Sequence, residues 1–188
     1  MAIKTFTTGE VLTASDTNTY LANSGLVYVA SKTFTSTGSA QQIDNCFTST
    51  YDQYVIRVNV LGSSGSPVTI WARLVNGTTP ETSANYYSMN VFNSTSAGPT
   101  RYWSPSLTAW PVGYVGNNTG NVFIDLNNPQ LATYTGGTLS YLGNGTTDYY
   151  SGTESIFRND STQYEGIQFY PDSGTWAGTI TIMGVRKA

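Results

Sequence analysis

The sequence contains no histidine and one cysteine, Cys46, among its 188 residues. Without histidine, neither a Ser-His-Asp nor a Cys-His catalytic arrangement can form. A single thiol cannot close a disulfide within the chain, and it cannot supply the usual Cys/His ligands of a zinc site. We therefore expect no metal and no cofactor, and we interpret Cys46 as a small buried side chain rather than a reactive thiol.

Charged residues are also scarce, at 10 % of the chain against about 25 % in an average soluble domain. The eight basic residues are scattered along the chain, and the formal net charge is −3. Phosphate binding needs clustered positive charge, so we expect no nucleic-acid partner. No apolar run reaches the length of a signal peptide or a membrane span, which predicts a protein without either.

A pair of catalytic carboxylates, as in glycoside hydrolases, is the one hydrolytic mechanism that this composition leaves open. Asp148 with Glu154, or Asp160 with Glu165 and Asp172, could converge in a fold, but nothing in their spacing brings them together. Acidic residues in turns normally cap backbone groups or keep the surface soluble. The sequence therefore favours a protein that is not an enzyme.

The residues that are present are typical of β-sheet surfaces and turns: about a third are Ser, Thr or Asn, and 13 % are aromatic. Segments 53–61 and 68–74 alternate apolar and polar residues, which predicts a hairpin. The stretch 94–111 contains three prolines and is predicted as loop. Further strands are predicted at 26–29, 31–35, 86–92, 112–115, 121–126, 138–142, 166–170 and 178–185. Short antiparallel strands at this spacing indicate an all-β sandwich or barrel.

The first thirty residues differ from the rest, and we interpret residues 1–30 as an N-terminal arm before a β domain at 31–188. Thr13 can cap a short helix over about 14–22, with Asp16 near its positive end. Such a helix is too short to be stable alone in water. It must therefore pack on its own domain, on a sister chain or on another protein.

Aromatic side chains in the predicted loops are the candidate binding residues. Exposed rings beside amides can stack on the apolar face of a sugar while the amides bind its hydroxyls. The candidate glycan-binding residues are Tyr102, Trp103, Trp110, Tyr114, Tyr149 and Tyr150. The alternative is that these rings cap the ends of the core or fill a subunit interface.

Three segments carry a resemblance to a known group of proteins. Residues 6–23, FTTGEVLTASDTNTYLAN, resemble the N-terminus of small structural proteins of tailed bacteriophages, roughly F-x-x-G-x-V-L-T-A-x-D-x-N-x-Y-L. Residues 43–54, IDNCFTSTYDQY, resemble the lead-in to a jelly-roll-like domain of virion and fibre proteins, and 178–187 resemble the closing strand of that domain. The arm motif is the more specific of these signals, although it covers only about a tenth of the chain.

The resemblance implies a virion structural protein, made in the host cytoplasm, with a jelly-roll-like antiparallel β-sandwich behind a short arm that contains one helix. The arm would dock onto another virion protein, capsid or tail. Because jelly rolls often associate about a threefold axis, we expect a homotrimer by analogy. The predicted docking residues are Phe6, Val11, Leu12, Tyr20 and Leu21.

Two placements on the particle stay open. The sequence favours a capsid-surface decoration protein or a short head fibre, because the chain is short for a complete receptor-binding fibre and has no coiled coil or repeat shaft. The first alternative is a tail fibre or spike that binds a glycan on the host surface. The second is a non-viral carbohydrate-binding module, against which the expected absence of a signal peptide counts.

Overall fold

The computed structural model describes residues 7–11, 13–16, 25–64, 68–115, 119–145 and 148–186. Within these ranges the regular secondary structure is β-strand, apart from the three-residue helical segment α1 (Ala14–Asp16). The strands are β1 (Leu26–Thr37), β2 (Gln41–Ile43), β3 (Tyr51–Ser63), β4 (Val68–Asn76), β5 (Thr79–Pro80), β6 (Tyr86–Ser94), β7 (Gly98–Leu107), β8 (Trp110–Val115), β9 (Gly120–Asn127), β10 (Thr135–Asn144), β11 (Tyr149–Arg158), β12 (Gly166–Pro171) and β13 (Trp176–Arg186).

The strands form two antiparallel sheets. The larger sheet has eight strands in the order β1-β13-β3-β9-β10-β11-β6-β7. The smaller has the order β2-β12-β4-β5, and β8 also pairs with β4. Apolar side chains from both sheets form one buried core cluster, which includes Ile56, Ile70, Trp110, Ile124 and Phe169. The predicted all-β, jelly-roll-like antiparallel sandwich is therefore confirmed.

The two alternating segments bury the faces that their patterns predict. The buried side chains are Tyr54, Ile56, Val58 and Val60 in β3, and Val68, Ile70, Ala72 and Leu74 in β4. The predicted hairpin between these segments is wrong, however. Strand β3 pairs with β13 and β9 in the larger sheet, whereas β4 pairs with strands of the smaller sheet. The chain crosses between sheets here, and the two apolar faces meet across the core.

The prediction that 94–111 is loop is also wrong, because this stretch contains β7 and the start of β8. Pro99 and Pro105 lie in β7, which is the outermost strand of the larger sheet. A proline is tolerated there because one side of an edge strand has no ladder to which an N–H must donate. Pro111 lies in β8 at an irregularity in its register with β4.

Arm residues 7–11 and 13–15 are all exposed. Thr7 and Glu10 close a turn, in which the Glu10 N–H donates to the Thr7 carbonyl at 3.0 Å. Of the helix predicted over about 14–22, α1 is the part that falls within the described residues. Strand β1 pairs with β13 from Leu26 onward, opposite Val185, so strand pairing begins before residue 31, where the β domain was predicted to start.

Candidate functional site

The outer face of the larger sheet, which points away from the core, carries a cavity of about 870 Å³. We call this cavity the trough. It crosses five neighbouring strands, β9, β10, β11, β6 and β7, from one side to the other. Four strand spacings separate β9 from β7, which is roughly 19 Å at about 4.8 Å per spacing. The volume lies within the range of about 300–1,000 Å³ that is usual for small-molecule sites.

Two adjacent cross-strand rows of side chains form the trough. Each row takes one outward-facing residue from each of the five strands, and direct register partners lie side by side. The first row reads Asp125, Thr138, Ser155, Met89 and Trp103 from β9 to β7. The second row reads Phe123, Ser140, Thr153, Val91 and Arg101. Strand pairing therefore sets the layout of the trough.

The trough has hydroxyl side chains on β10 and β11, the exposed apolar side chains of Met89 and Val91 on β6, and an aromatic ring at each end. The side chains on the central strands β10 and β11 are exposed serines and threonines: Thr138, Ser140, Thr153 and Ser155. Trp103 is 59 % exposed at the β7 end, and Phe123 is 45 % exposed at the β9 end. Each end also carries one charge, Arg101 at the β7 end and Asp125 at the β9 end. Polar groups thus converge between two exposed rings.

Neighbouring side chains contact both of the end rings. The guanidinium of Arg57, on β3, lies 5.1 Å from the centre of the Phe123 ring, a distance typical of a cation–π contact. Tyr87 packs beside Trp103 with ring centres 6.0 Å apart. Phe157 and Tyr134 extend this aromatic contact away from the trough, with their ring centres 5.1 Å apart. The rings at the two ends are therefore supported rather than isolated.

Two of the six predicted glycan-binding residues line the trough, Tyr102 and Trp103. For Trp110 the prediction is wrong, because its ring is 0 % exposed in the core, where its Nε1 donates to the Phe157 carbonyl at 3.1 Å. Tyr150 is also buried, and it stacks on Phe92 with ring centres 6.0 Å apart. A sugar cannot reach either ring in this fold.

The two remaining candidates lie outside the trough. Tyr114 is half-buried between the sheets, with its ring centre 5.0 Å from that of Phe92. Tyr149 is exposed at the start of β11, a strand rather than the predicted loop. Of the predicted arm residues, Val11 is 78 % exposed. The other four, Phe6, Leu12, Tyr20 and Leu21, lie outside the described residues.

Most lining residues of the trough were missed because the sequence search looked for aromatic residues in loops. Phe123 gave a usable signal, since an apolar ring stands between Asn121 and Asp125 on the polar side of an alternating strand. The serines and threonines of β10 and β11 gave no such signal, because their residue types are common throughout this chain. Only their position in the sheet brings them together.

A buried polar group lies behind the trough, on the core side of the same strands. Glu154 is 3 % exposed, and its Oε2 accepts a hydrogen bond of 3.2 Å from the Asn90 side-chain amide. The Oε1 of Glu154 and the Oδ1 of Asn90 have no hydrogen-bond partner. Burial raises the pKa of Glu154 from 4.5 to about 7, against the opposing effect of hydrogen bonds from Ser88 and Asn90.

A second buried charge, Arg158, lies at the end of β11 and is fully paired. Its Nε donates to the Asp160 carboxylate at 2.7 Å, and its Nη1 donates to the Ser83 carbonyl at 3.0 Å. Its guanidinium also lies 4.3 Å from the centre of the Tyr86 ring. Burial opposes ionisation of Asp160, but hydrogen bonds from Thr162 N–H and its contacts with Tyr164 and Arg158 hold its pKa below the usual value. This cluster therefore connects the end of β11 with Ser83 and Asp160.

The other carboxylates considered as catalytic candidates cap turns. Asp148 accepts from the Thr95 hydroxyl at 2.8 Å, and Glu165 accepts from Gly77 N–H at 2.6 Å. Asp172 accepts from Thr69 N–H at 3.2 Å. Their hydrogen bonds thus connect neighbouring turns and strands.

The remaining chemistry of the described residues is limited. Cys46 is buried, which raises the pKa of its thiol to about 12. In the described part of the chain, no three His, Cys, Asp or Glu side chains come close enough together to hold a metal ion. None of the described helical residues belongs to a helix that is long and apolar enough to cross a membrane.

Comparison with protein-family models, with curated proteins and with solved structures gave no match to this chain. The residues, the fold and the trough are therefore the basis on which a function is proposed.

Proposed function

We propose that this protein is a structural component of a bacteriophage virion, docked through its N-terminal arm. The observation that carries the proposal is the position of the arm. Its sequence resembles the phage motif at residues 6–23, and residues 7–11 and 13–15 are all exposed ahead of β1. Among the described residues, the core cluster draws on Val29 and later positions, so the described part of the arm adds no side chain to the core.

The β-sandwich supports the same role. An antiparallel sandwich with few charges and many hydroxyl side chains suits a protein that must persist outside a cell. The proposal favours a capsid-surface decoration protein or short head fibre, assembled as a homotrimer by analogy with other jelly rolls. A tail fibre or spike, and a non-viral carbohydrate-binding module, are the alternatives.

Deletion of residues 1–25 tests the docking role. We expect the truncated protein to keep its β-sheet circular dichroism and to unfold cooperatively, because strand pairing begins at Leu26. We expect it to be missing from particles assembled in its presence, as judged by mass spectrometry of purified virions. Normal occupancy of the truncated chain would mean that attachment lies elsewhere, and failure to fold would mean that the arm belongs to the core.

The copy number of the full-length chain per virion separates the placements. A count comparable to that of the major capsid protein would indicate decoration of the lattice. A few copies per particle would indicate the tail or a single vertex. Absence of the chain from purified particles would contradict the virion proposal as a whole.

A further inference from the structure

We propose that the trough is a carbohydrate-binding site that takes a neutral oligosaccharide laid across the strands. The site goes beyond the proposed virion role, because it belongs to the sandwich itself and can be tested on the purified protein. Three features favour this occupant: the placement of the exposed rings, the side chains between them and the charges at the two ends.

The placement of the two end rings favours a sugar as the ligand. Trp103 and Phe123 stand at opposite ends of the trough, and both are about half exposed although they belong to regular strands. An exposed ring on the outer face of a sheet leaves apolar area in water, and covering that area with a ligand is favourable. The C–H face of a sugar ring has the shape and polarity to cover such a ring.

The middle of the trough distinguishes a sugar from a protein partner, because the two bind different kinds of side chain. Protein interfaces place apolar residues at the centre and polar residues at the rim, and serine is depleted in them. The central strand of the trough, β11, instead carries Thr153 and Ser155, with further hydroxyls on β10 and the apolar Met89 and Val91 on β6. Each hydroxyl can both donate and accept a hydrogen bond, which matches the hydroxyls of a sugar.

The charged residues of the trough distinguish a neutral ligand from an anionic one. The exposed charged residues that line the trough are Arg101 at one end and Asp125 at the other, and Arg57 lies beside Phe123 at the Asp125 end. The two basic residues are therefore at opposite ends and form no cluster. A binding site for a strongly anionic chain would need clustered positive charge. A guanidinium and a carboxylate at separate ends can instead each bind sugar hydroxyls through charge-assisted hydrogen bonds. A neutral glycan therefore fits better than an acidic one.

The test is binding of the purified full-length protein to an array of neutral, N-acetylated and acidic oligosaccharides, followed by titration calorimetry with the best neutral binder. Trp103→Ala should weaken binding by about tenfold or more, because a ring covered by ligand typically dominates affinity. Tyr28→Ala is the matched control, since Tyr28 is 65 % exposed on β1 and lies outside the trough. That control should bind as the unmodified protein does.

Thr153→Val distinguishes a sugar from a protein partner. Valine keeps the shape of threonine and favours a strand, so the sheet should be unchanged. Loss of one hydroxyl should weaken glycan binding by about three- to tenfold, whereas an apolar docking surface would bind its partner more tightly.

Three results would overturn the proposal. The first is an unmodified protein that binds no glycan on the array. The second is unchanged binding by Trp103→Ala. The third is an oligomer, measured by sedimentation, that Trp103→Ala dissociates and Thr153→Val strengthens, because a second copy of the chain would then occupy the trough. None of these results bears on whether the chain is present in virions, so the virion proposal stands or fails separately.

Discussion

Replacing Trp110 by alanine is expected to lower the free energy of unfolding by about 3–5 kcal/mol. The indole is fully buried, its ring centre lies 5.0 Å from that of Tyr86, and its N–H donates to the Phe157 carbonyl. The substitution leaves a cavity and removes the donor for a carbonyl that is hydrogen-bonded in the native fold. Denaturant titration followed by circular dichroism would measure the loss as a lower midpoint.

The control for this prediction is Trp103→Ala, which removes the same side chain from the outer face. Because Trp103 is largely exposed, its removal should change stability by no more than about 0.5 kcal/mol. Equal destabilisation by the two substitutions would contradict the assignment of one tryptophan to the core and the other to the trough. This comparison also shows that a binding defect of Trp103→Ala does not come from unfolding.

Glu154→Gln is expected to stabilise the protein at high pH and to leave it nearly unchanged at low pH. In the folded protein, burial raises the pKa of Glu154 to about 7, so the native state holds a proton that the unfolded chain loses near pH 4.5. The carboxyl therefore causes no loss of stability below about pH 4.5, and it lowers stability progressively as the pH rises to about 7. The difference between these pKa values corresponds to at most about 3 kcal/mol.

Glutamine removes this titration while its amide can still bond to Asn90. The measurement is the difference in unfolding free energy between Glu154→Gln and the unmodified protein from pH 4 to pH 8.5. Taking the difference cancels other groups, including Asp160, whose lowered pKa gives the opposite slope. A difference that stays constant across this range would show that Glu154 titrates alike in both states.

Strand alternation predicted which side chains are buried but not which strands are neighbours. The patterns of 53–61 and 68–74 identified their buried faces correctly, because a period of two follows from backbone geometry alone. The same patterns led to a predicted hairpin, although the segments belong to different sheets. An apolar strand face must pack against another layer, but its pattern does not say whether the next strand of the chain lies beside it in the same sheet or opposite it in the other sheet.

The proline-containing stretch 94–111 shows a second limit of local reasoning. Proline excludes a central strand position but permits an edge strand, and whether β7 is an edge depends on the whole sheet. The error affected the site as well, because Trp103 and Trp110 were assigned to one loop. In the structure they lie on successive strands, with one ring outside the sandwich and the other in its core.

The sequence by itself determined the class of fold, the buried faces of the main strands and the exclusion of histidine-dependent chemistry, because each follows from residue types and their local spacing. The tertiary structure decided the candidate site. Phe123, Ser140, Thr153, Val91 and Arg101 form one row only because five strands pair in a particular order and register. That order is set by long-range packing, in which residues far apart in the chain become neighbours, and no local pattern encodes it.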